Sequence, residues 1–175
     1  MKAFSFKSLT LAAMLAIGTN AQADCTLIAS LGGGVAFGFG DNVGNGPLID
    51  AEFGYEWDAG DGVATALVLA ADYASVDYLT SGPRGRTIRG SEDILTLAPR
   101  VRVSFPVDDI IGFYIQGQAG VNLSDGILSE FGWGAGAGLD FRFSKACSLR
   151  VGYQAIGDFE SNGYHGALAA VSYRF

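Results

Sequence analysis

The last residues of the chain, Tyr164 to Phe175, change face at every step: Phe175, Tyr173, Val171, Ala169 and Ala167 fall on one side of an extended strand, and Arg174, Ser172 and Ala170 on the other. One side is apolar and bulky, the other small or charged. A strand that crosses a bilayer needs this arrangement, because lipid takes the apolar side and an enclosed lumen takes the polar one. Such a strand must also find hydrogen-bond partners for every backbone group inside the membrane, which only a closed sheet supplies.

The other end of the chain predicts export. Met1 to Ala23 opens with Lys2 and Lys7, continues through the apolar run Leu9 to Ile17 and closes on Ala21-Gln22-Ala23, a small-residue cleavage site. Residues 1–23 are therefore expected to be a cleaved signal peptide, and 24–175 a single domain. The apolar run is too short for a spanning helix, which needs about 20 residues, and no later segment is long and apolar enough either. Cys25 lies close to the cut, but Asp24 stands where a lipidation signal requires a small residue. With 26 glycines, 12 phenylalanines, 7 tyrosines and only 17% charged residues, the chain is too apolar for disorder and too glycine-rich for helices. Its net charge of −7 and lack of a dominant basic patch disfavour a nucleic-acid partner.

Eight alternating segments bounded by turn residues can be read between these ends. The first runs from Thr26 to Phe39. The second carries Ile49, Ala51, Phe53, Tyr55 and Trp57 outward and Asp50, Glu52, Gly54 and Glu56 inward. The third runs from Val63 to about Tyr73, with Asp72 inward, and the polar stretch Ser75 to Asp93 reads as the longest loop. The fourth sets Leu95, Leu97, Pro99, Val101, Val103 and Phe105 against Thr96, Ala98, Arg100, Arg102 and Ser104, with a bulge expected at Pro99, which cannot donate to a ladder. The fifth carries Phe113 to Leu123. The sixth sets Phe131 to Phe143 against Gly132 to Arg142, including Asp140. The seventh carries Leu149 to Ala155 with Arg150 inward, and the eighth is the C-terminal segment. The fold class is all-β: an eight-stranded antiparallel up-and-down transmembrane β-barrel.

Connections near 58–62, 106–112 and 144–147 read as short, and those near 40–47, 74–93, 123–130 and 157–163 as longer or more polar. Short turns face the periplasm in such barrels, which puts both termini there. Trp57, Phe105, Phe113, Phe143 and Phe175 then form one aromatic girdle, and Phe39, Tyr73, Phe131 and Trp133 the other.

An eight-stranded barrel encloses only enough room for side chains, so a general water-filled pore is disfavoured. The inward charges are Asp50, Glu52, Glu56, Asp72 and Asp140 against Arg100, Arg102, Arg142, Arg150 and Arg174. Isolated charges in that space would be costly. A paired, hydrogen-bonded plug is expected, concentrated in the periplasmic half, with a narrow ion path or gate as the alternative.

The signal peptide, eight alternating segments, charged lumen and terminal Tyr173-Arg174-Phe175 together resemble the small outer-membrane barrels of the OmpA transmembrane domain, OmpX and opacity-protein type. The resemblance covers the whole mature chain. It implies a monomeric scaffold in outer-membrane lipid and lipopolysaccharide of a Gram-negative bacterium, with any specific role carried by its outer loops. Val171, Tyr173 and Phe175 resemble the C-terminal signal read by the barrel assembly machinery. The peptidoglycan-binding domain that follows the barrel in full OmpA proteins is expected to be absent.

Some barrels of this size modify lipid A. Deacylases of the PagL type use a serine with a histidine two residues before it, but His165 is followed at that spacing by Ala167. Acyltransferases of the PagP type carry an N-terminal amphipathic helix, whereas Asp24-Cys25 leads almost directly into strand one. No enzymatic activity is expected, with a lipid A-modifying deacylase or acyltransferase as the alternative. Neither is a metal or cofactor, since two distant cysteines and one histidine match no ligand spacing and Asp108-Asp109 reads as a solvated pair in a turn. Arg84, Arg86 and Arg89 lie in the segment 75–93 and are candidates for contact with lipopolysaccharide phosphates or another anionic ligand, as a surface adhesin would make.

Cys25 and Cys147 fall at the same end, with strand eight between them. Two strand spacings are roughly 9–10 Å, beyond the ~7 Å Cα limit for a disulfide. The freedom of an N-terminal arm and a turn, in an oxidising compartment, nevertheless leads to the expectation of a bridge.

Overall fold

In the computed structural model, the described residues are 25–39, 44–60, 62–81, 87–124, 127–157 and 163–175, with side chains left undescribed at 78–81, 87–89, 124 and 127–130. Met1 to Asp24, and with them the expected signal peptide, lie outside this set. The strands are β1 (Thr26–Gly38), β2 (Asn45–Asp58), β3 (Ala64–Ser81), β4 (Thr87–Pro106), β5 (Ile111–Ser124), β6 (Ile127–Arg142), β7 (Cys147–Gly157) and β8 (Gly163–Arg174). Each pairs antiparallel with its sequence neighbour, and β1 pairs with β8 from Ile28↔Arg174 to Gly38↔Tyr164, closing the barrel. Closure leaves no sheet edge to satisfy within the membrane.

The alternation read in the sequence becomes two faces. In β8, Ala167, Ala169, Val171 and Tyr173 are exposed, while Leu168, Ala170 and Ser172 are buried. Apolar groups dominate the outside elsewhere too: Leu31 is 65% exposed and Leu69 61%.

Three tight turns close one end, each fixed by a side chain that accepts backbone N–H groups. Asp58 Oδ1 accepts from Gly60 (2.8 Å), and Gly60 and Gly62 hold φ of 103° and 76°, where only glycine is at ease. Asp108 Oδ1 accepts from Ile110 (2.8 Å) and Ile111 (2.6 Å), and Ser144 Oγ from Ala146 (3.2 Å) and Cys147 (3.0 Å).

At the opposite end the sequence reading needs correction. The stretch Ser75 to Asp93 is mostly strand: β3 and β4 stay paired from Ser75↔Asp93 to Ser81↔Thr87, leaving only 82–86 between them. Ladder pairing with β5 stops at Ile94, so this hairpin outruns β5, while on the β2 side the ladder stops at Ala74 but Gly44 N still donates to Asp77 O at 2.6 Å. Its seven extra pairs rise roughly 24 Å at about 3.4 Å per residue. Polarity misled here, because a strand outside lipid no longer needs an apolar face. The segment 123–130 is likewise a hairpin with only 125–126 between strands. Connection length therefore does not distinguish the two ends; the projecting hairpin does.

The bulge expected at Pro99 is also absent. Pairs with β5 are missing at Ala98 and Pro99, but Leu97↔Val121 and Arg100↔Gln118 keep one register, and on its other side Pro99 pairs with Leu69. The strand tolerates a gap in one ladder without an inserted residue. A register shift occurs instead between β5 and β6 at Asn122/Leu123.

Candidate functional site

The interior is layered, and the middle layer is ionic. Every second residue of β2, β3 and β4 points inward, and register brings Asp50, Glu52, Asp72, Arg100 and Arg102 to one level, joined by Arg150 from β7. Arg100 is the hub, 1% exposed. Its Nη1 donates to Asp50 Oδ2 (2.6 Å) and Glu52 Oε1 (2.5 Å), its Nη2 to Asp72 Oδ1 (2.8 Å) and Oδ2 (2.6 Å), and its Nε to Gln118 Oε1 (2.6 Å). Those five bonds match the number of N–H groups on a guanidinium.

The remaining oxygens are shared outward. Glu52 Oε2 accepts from Arg102 Nη1 (2.7 Å) and Arg150 Nη2 (2.6 Å), and Asp72 accepts from Gln118 and Gln154, both at 3.0 Å. Arg150 Nε donates to Ser172 Oγ (3.0 Å), itself paired with Ser30 Oγ (2.9 Å), which carries the network across β8 to β1. Three carboxylates and three guanidinium groups make the cluster neutral, as burial at low dielectric demands. One acceptor, Asp50 Oδ1, has no partner.

Tyr114 covers part of this layer. Its ring lies against β6 and β7, where Gly138 and Gly152 pair with each other. A Cβ on Gly138 would come within 2.9 Å of the ring, and one on Gly152 would strike the hydroxyl. The two glycines make the slot. Arg150 stands over the ring, Cζ 5.9 Å from its centroid, within cation–π range.

Above the ionic layer, towards the β1–β2, β3–β4 and β7–β8 connections, the lumen is apolar. Leu48, Val76, Ile94, Ile156, Tyr164 and Leu168 pack together with small alanines. The sequence reading missed this layer, because it weighed only inward charges; the parity of each strand was the available signal. Below, at the turn end, a cavity of about 660 Å³ is lined by Glu56, Arg142 and Arg174 among others. There Arg174 Nε bonds Glu56 Oε1 at 2.6 Å, and Arg142 Nε stands 3.6 Å from Asp140 Oδ2. The ten inward charges thus divide into a central cluster and a looser group at the mouth.

The other sequence candidates lie apart from the lumen. Val171, Tyr173 and Phe175 project from the outer face, with the last two rings 4.9 Å apart, edge to face. His165 is outside as well, flanked by Phe37 and Phe39 at ring distances of 5.6 and 5.5 Å, its Nδ1 hydrogen-bonded with the Tyr153 hydroxyl. Arg84 and Arg86 fall outside the described residues. Arg89 is in β4 with its backbone opposite Leu79. No three His, Cys, Asp or Glu side chains gather as a metal site among the described residues.

Cys25 and Cys147 are free thiols, the first exposed and the second half-buried. The expected bridge is not formed. Cys147 is the first residue of β7, held in the ladder opposite Tyr173 rather than in a flexible turn, and β8 stands between it and β1.

Comparison with known proteins agrees with this architecture. The structure resembles the Neisserial surface protein A (NspA) with a TM-score of 0.64 at 11% identity, covering 85% of this chain and 97% of that one. It also resembles Ail, the attachment invasion locus protein of Yersinia pestis (TM-score 0.50, 14% identity, 85% of this chain and 98% of that one). The outer membrane enzyme PagL matches equally (TM-score 0.50, 14% identity, 85% and 99%). At such identities the likeness is one of fold, and it spans a surface protein, an attachment protein and an enzyme. No curated protein sequence matches the chain. Residues 9–175 match the family described as the outer membrane protein beta-barrel domain. The chain therefore belongs to that family, a small eight-stranded barrel of the Gram-negative outer membrane.

Proposed function

We propose that this protein is a non-conducting, non-enzymatic scaffold of the outer membrane that presents the β3–β4 hairpin at the cell surface, with both termini and the three tight turns in the periplasm. The observation that carries this reading is the filled lumen: an apolar layer from Leu48 to Leu168 stacked on the Arg100 cluster. An ion crossing it would have to separate buried pairs at N–O distances of 2.5–2.7 Å. Orientation rests on the projecting hairpin, because a ribbon of seven pairs reaching roughly 24 Å past the end of its β5 ladder suits an extracellular loop better than a periplasmic turn.

The absence of activity rests on His165. It lacks a serine two residues on, and its ring is flanked by Phe37, Phe39 and Tyr153. The protein acts as a monomer folded by the assembly machinery through Val171, Tyr173 and Phe175, and Arg84, Arg86 and Arg89 contact lipopolysaccharide phosphates.

Purified protein in planar bilayers should give no discrete conductance, and lipid A from overproducing cells should keep its acyl composition by mass spectrometry. Channel steps would overturn the closed lumen, and altered acylation the scaffold reading. Protease treatment of intact cells should cut at 82–86 and leave the three turns intact; cleavage only after lysis would reverse the orientation. If the hairpin serves adhesion, replacing all three arginines by Ala should reduce cell binding without changing the amount of barrel in the membrane.

A further inference from the structure

His165 is the single histidine of the chain, and it stands on the outer wall of the barrel, one pair from the end of the β1–β8 ladder. Phe37 lies opposite it on β1 and Ala155 on β7. The rings of Phe37 and Phe39 lie at 27° and 29° to the imidazole plane, so they stack on the ring rather than meet its edge. The edge is engaged by Tyr153, whose hydroxyl is hydrogen-bonded with Nδ1. A phenol is a better donor than a neutral imidazole, so Tyr153 donates and the ring proton belongs on Nε2. The two nitrogens of an imidazole point to different sides, which turns Nε2 away from the Tyr153 hydroxyl. Among the described residues Nε2 makes no hydrogen bond. A polar N–H on a lipid-facing wall is costly until it finds an acceptor.

We propose that this corner of the wall binds the phosphate of an outer-leaflet lipid, with the His165 Nε2–H as donor and the stacked rings holding the imidazole in place. His165 lies at the last pair but one of the ladder, beside the exposed Phe39. An aromatic girdle sits at headgroup level, and phosphates are the strongest acceptors there. The esters of the acyl chains lie deeper and offer only neutral oxygens. Phe37 and Phe39, with ring distances of 5.6 and 5.5 Å, are within cation–π range of the imidazolium that a bound phosphate favours. A tryptophan, the common girdle residue, could donate but could not take up charge. Ala155, opposite His165, and Ala167, two residues on, place only methyl groups on the wall beside the ring. The leaflet, and with it a phosphorylated lipid A, follows from the reading that the β3–β4 hairpin projects outside.

With one imidazole in the chain, its ring nitrogens can be followed by NMR without ambiguity. The full barrel in maltoside micelles, which carry no phosphate, is titrated with lipid A, with lipid A stripped of its phosphates, and with inorganic phosphate. Lipid A should shift the Nε2 resonance saturably. The stripped lipid should bind about tenfold more weakly, as loss of one charge-assisted hydrogen bond implies, and inorganic phosphate should give no saturable shift at the same concentration. His165→Phe, which keeps a ring in the stack, should weaken lipid A by about the same factor, read from the Phe39 and Gly163 amides, while keeping heat-modifiable mobility. Tyr153→Phe frees Nδ1, so the imidazole should sample both neutral tautomers and lipid A should bind more weakly; it provides the same test should His165→Phe fail to fold. Equal binding with and without the lipid phosphates, inorganic phosphate binding as tightly as lipid A, shifts confined to other parts of the barrel, no saturable shift, or unchanged affinity in the variants would each overturn the proposal. Such a failure would leave the orientation of the barrel standing, because proteolysis at 82–86 reads that separately.

Discussion

The two faces of β4 hold side chains of opposite character one residue apart. Arg100 and Arg102 point inward and are 1% and 2% exposed, while Leu97 and Val101 point outward and are 39% and 48% exposed. A water-soluble sheet would reverse this. Here the outer solvent is hydrocarbon, so an exposed leucine costs nothing and the lumen is the place for polar groups. The difference teaches that burial means two things in one molecule: outside it is measured against lipid, and inside against the supply of hydrogen-bond partners.

The sharpest way to break the contrast is to remove the hub. Arg100→Ala leaves Asp50, Glu52 and Asp72 without their shared cation, and one-sided removal from a buried ion cluster costs about 3–5 kcal/mol. Urea unfolding in lipid vesicles should show a drop of that size. Arg102→Ala should cost less, since Glu52 keeps Arg100 and Arg150; equal losses would deny Arg100 its central place.

The same arginine chemistry placed outside should fail for another reason. Leu97→Arg puts a cation into hydrocarbon and should cost about 2–4 kcal/mol in the same assay. If the variant unfolds like the parent, Leu97 does not face lipid and the register is wrong.

A neutral change in the lumen tests packing apart from charge. Gly152→Ala drives a methyl into the Tyr114 hydroxyl and to 2.7 Å from the Ala137 carbonyl, and overpacking of this kind costs about 1–3 kcal/mol. Tyr114→Phe combined with Gly152→Ala should recover part of the loss. No recovery would place the strain in the backbone.

The smallest effect belongs to neither face. In the β4–β5 turn the N–H groups of Ile111 and Ile110 hold the Asp108 carboxyl below its ordinary value of 3.8. A depressed folded value means that the charged form stabilises the turn above the unfolded value, and that this contribution fades as pH falls through the folded one. Asp108→Ala should therefore lower the melting temperature slightly at pH 7, and the difference from the parent should close below about pH 4. A gap that persists in acid would assign the effect to backbone propensity rather than charge.

Much of this barrel was legible because the side-chain period of a strand is two and the membrane makes each face chemically pure. The inward parity of Asp50, Glu52, Asp72, Arg100, Arg102 and Arg150 follows from that period alone, as does the outward parity of Leu97 and Val171. Legibility failed where lipid no longer imposes the pattern. Ser75 to Asp93 reads as a loop because its residues are polar, yet its backbone continues the β3–β4 ladder. The turn at Ser144 to Cys147 reads correctly, but Cys147 already belongs to β7, and that one position removes the freedom a disulfide would need.

By itself the sequence determined the number of strands, their order and which residues face inward, since these depend on local alternation and turn chemistry. Only the tertiary structure decided which inward groups meet. Whether Arg100 finds three carboxylates while Arg142 finds none at hydrogen-bond distance depends on the stagger of strands distant in sequence, which no local period encodes. The same stagger stacks Leu48 to Leu168 above the charges and leaves the turn end open, because closure fixes the level of every inward side chain at once.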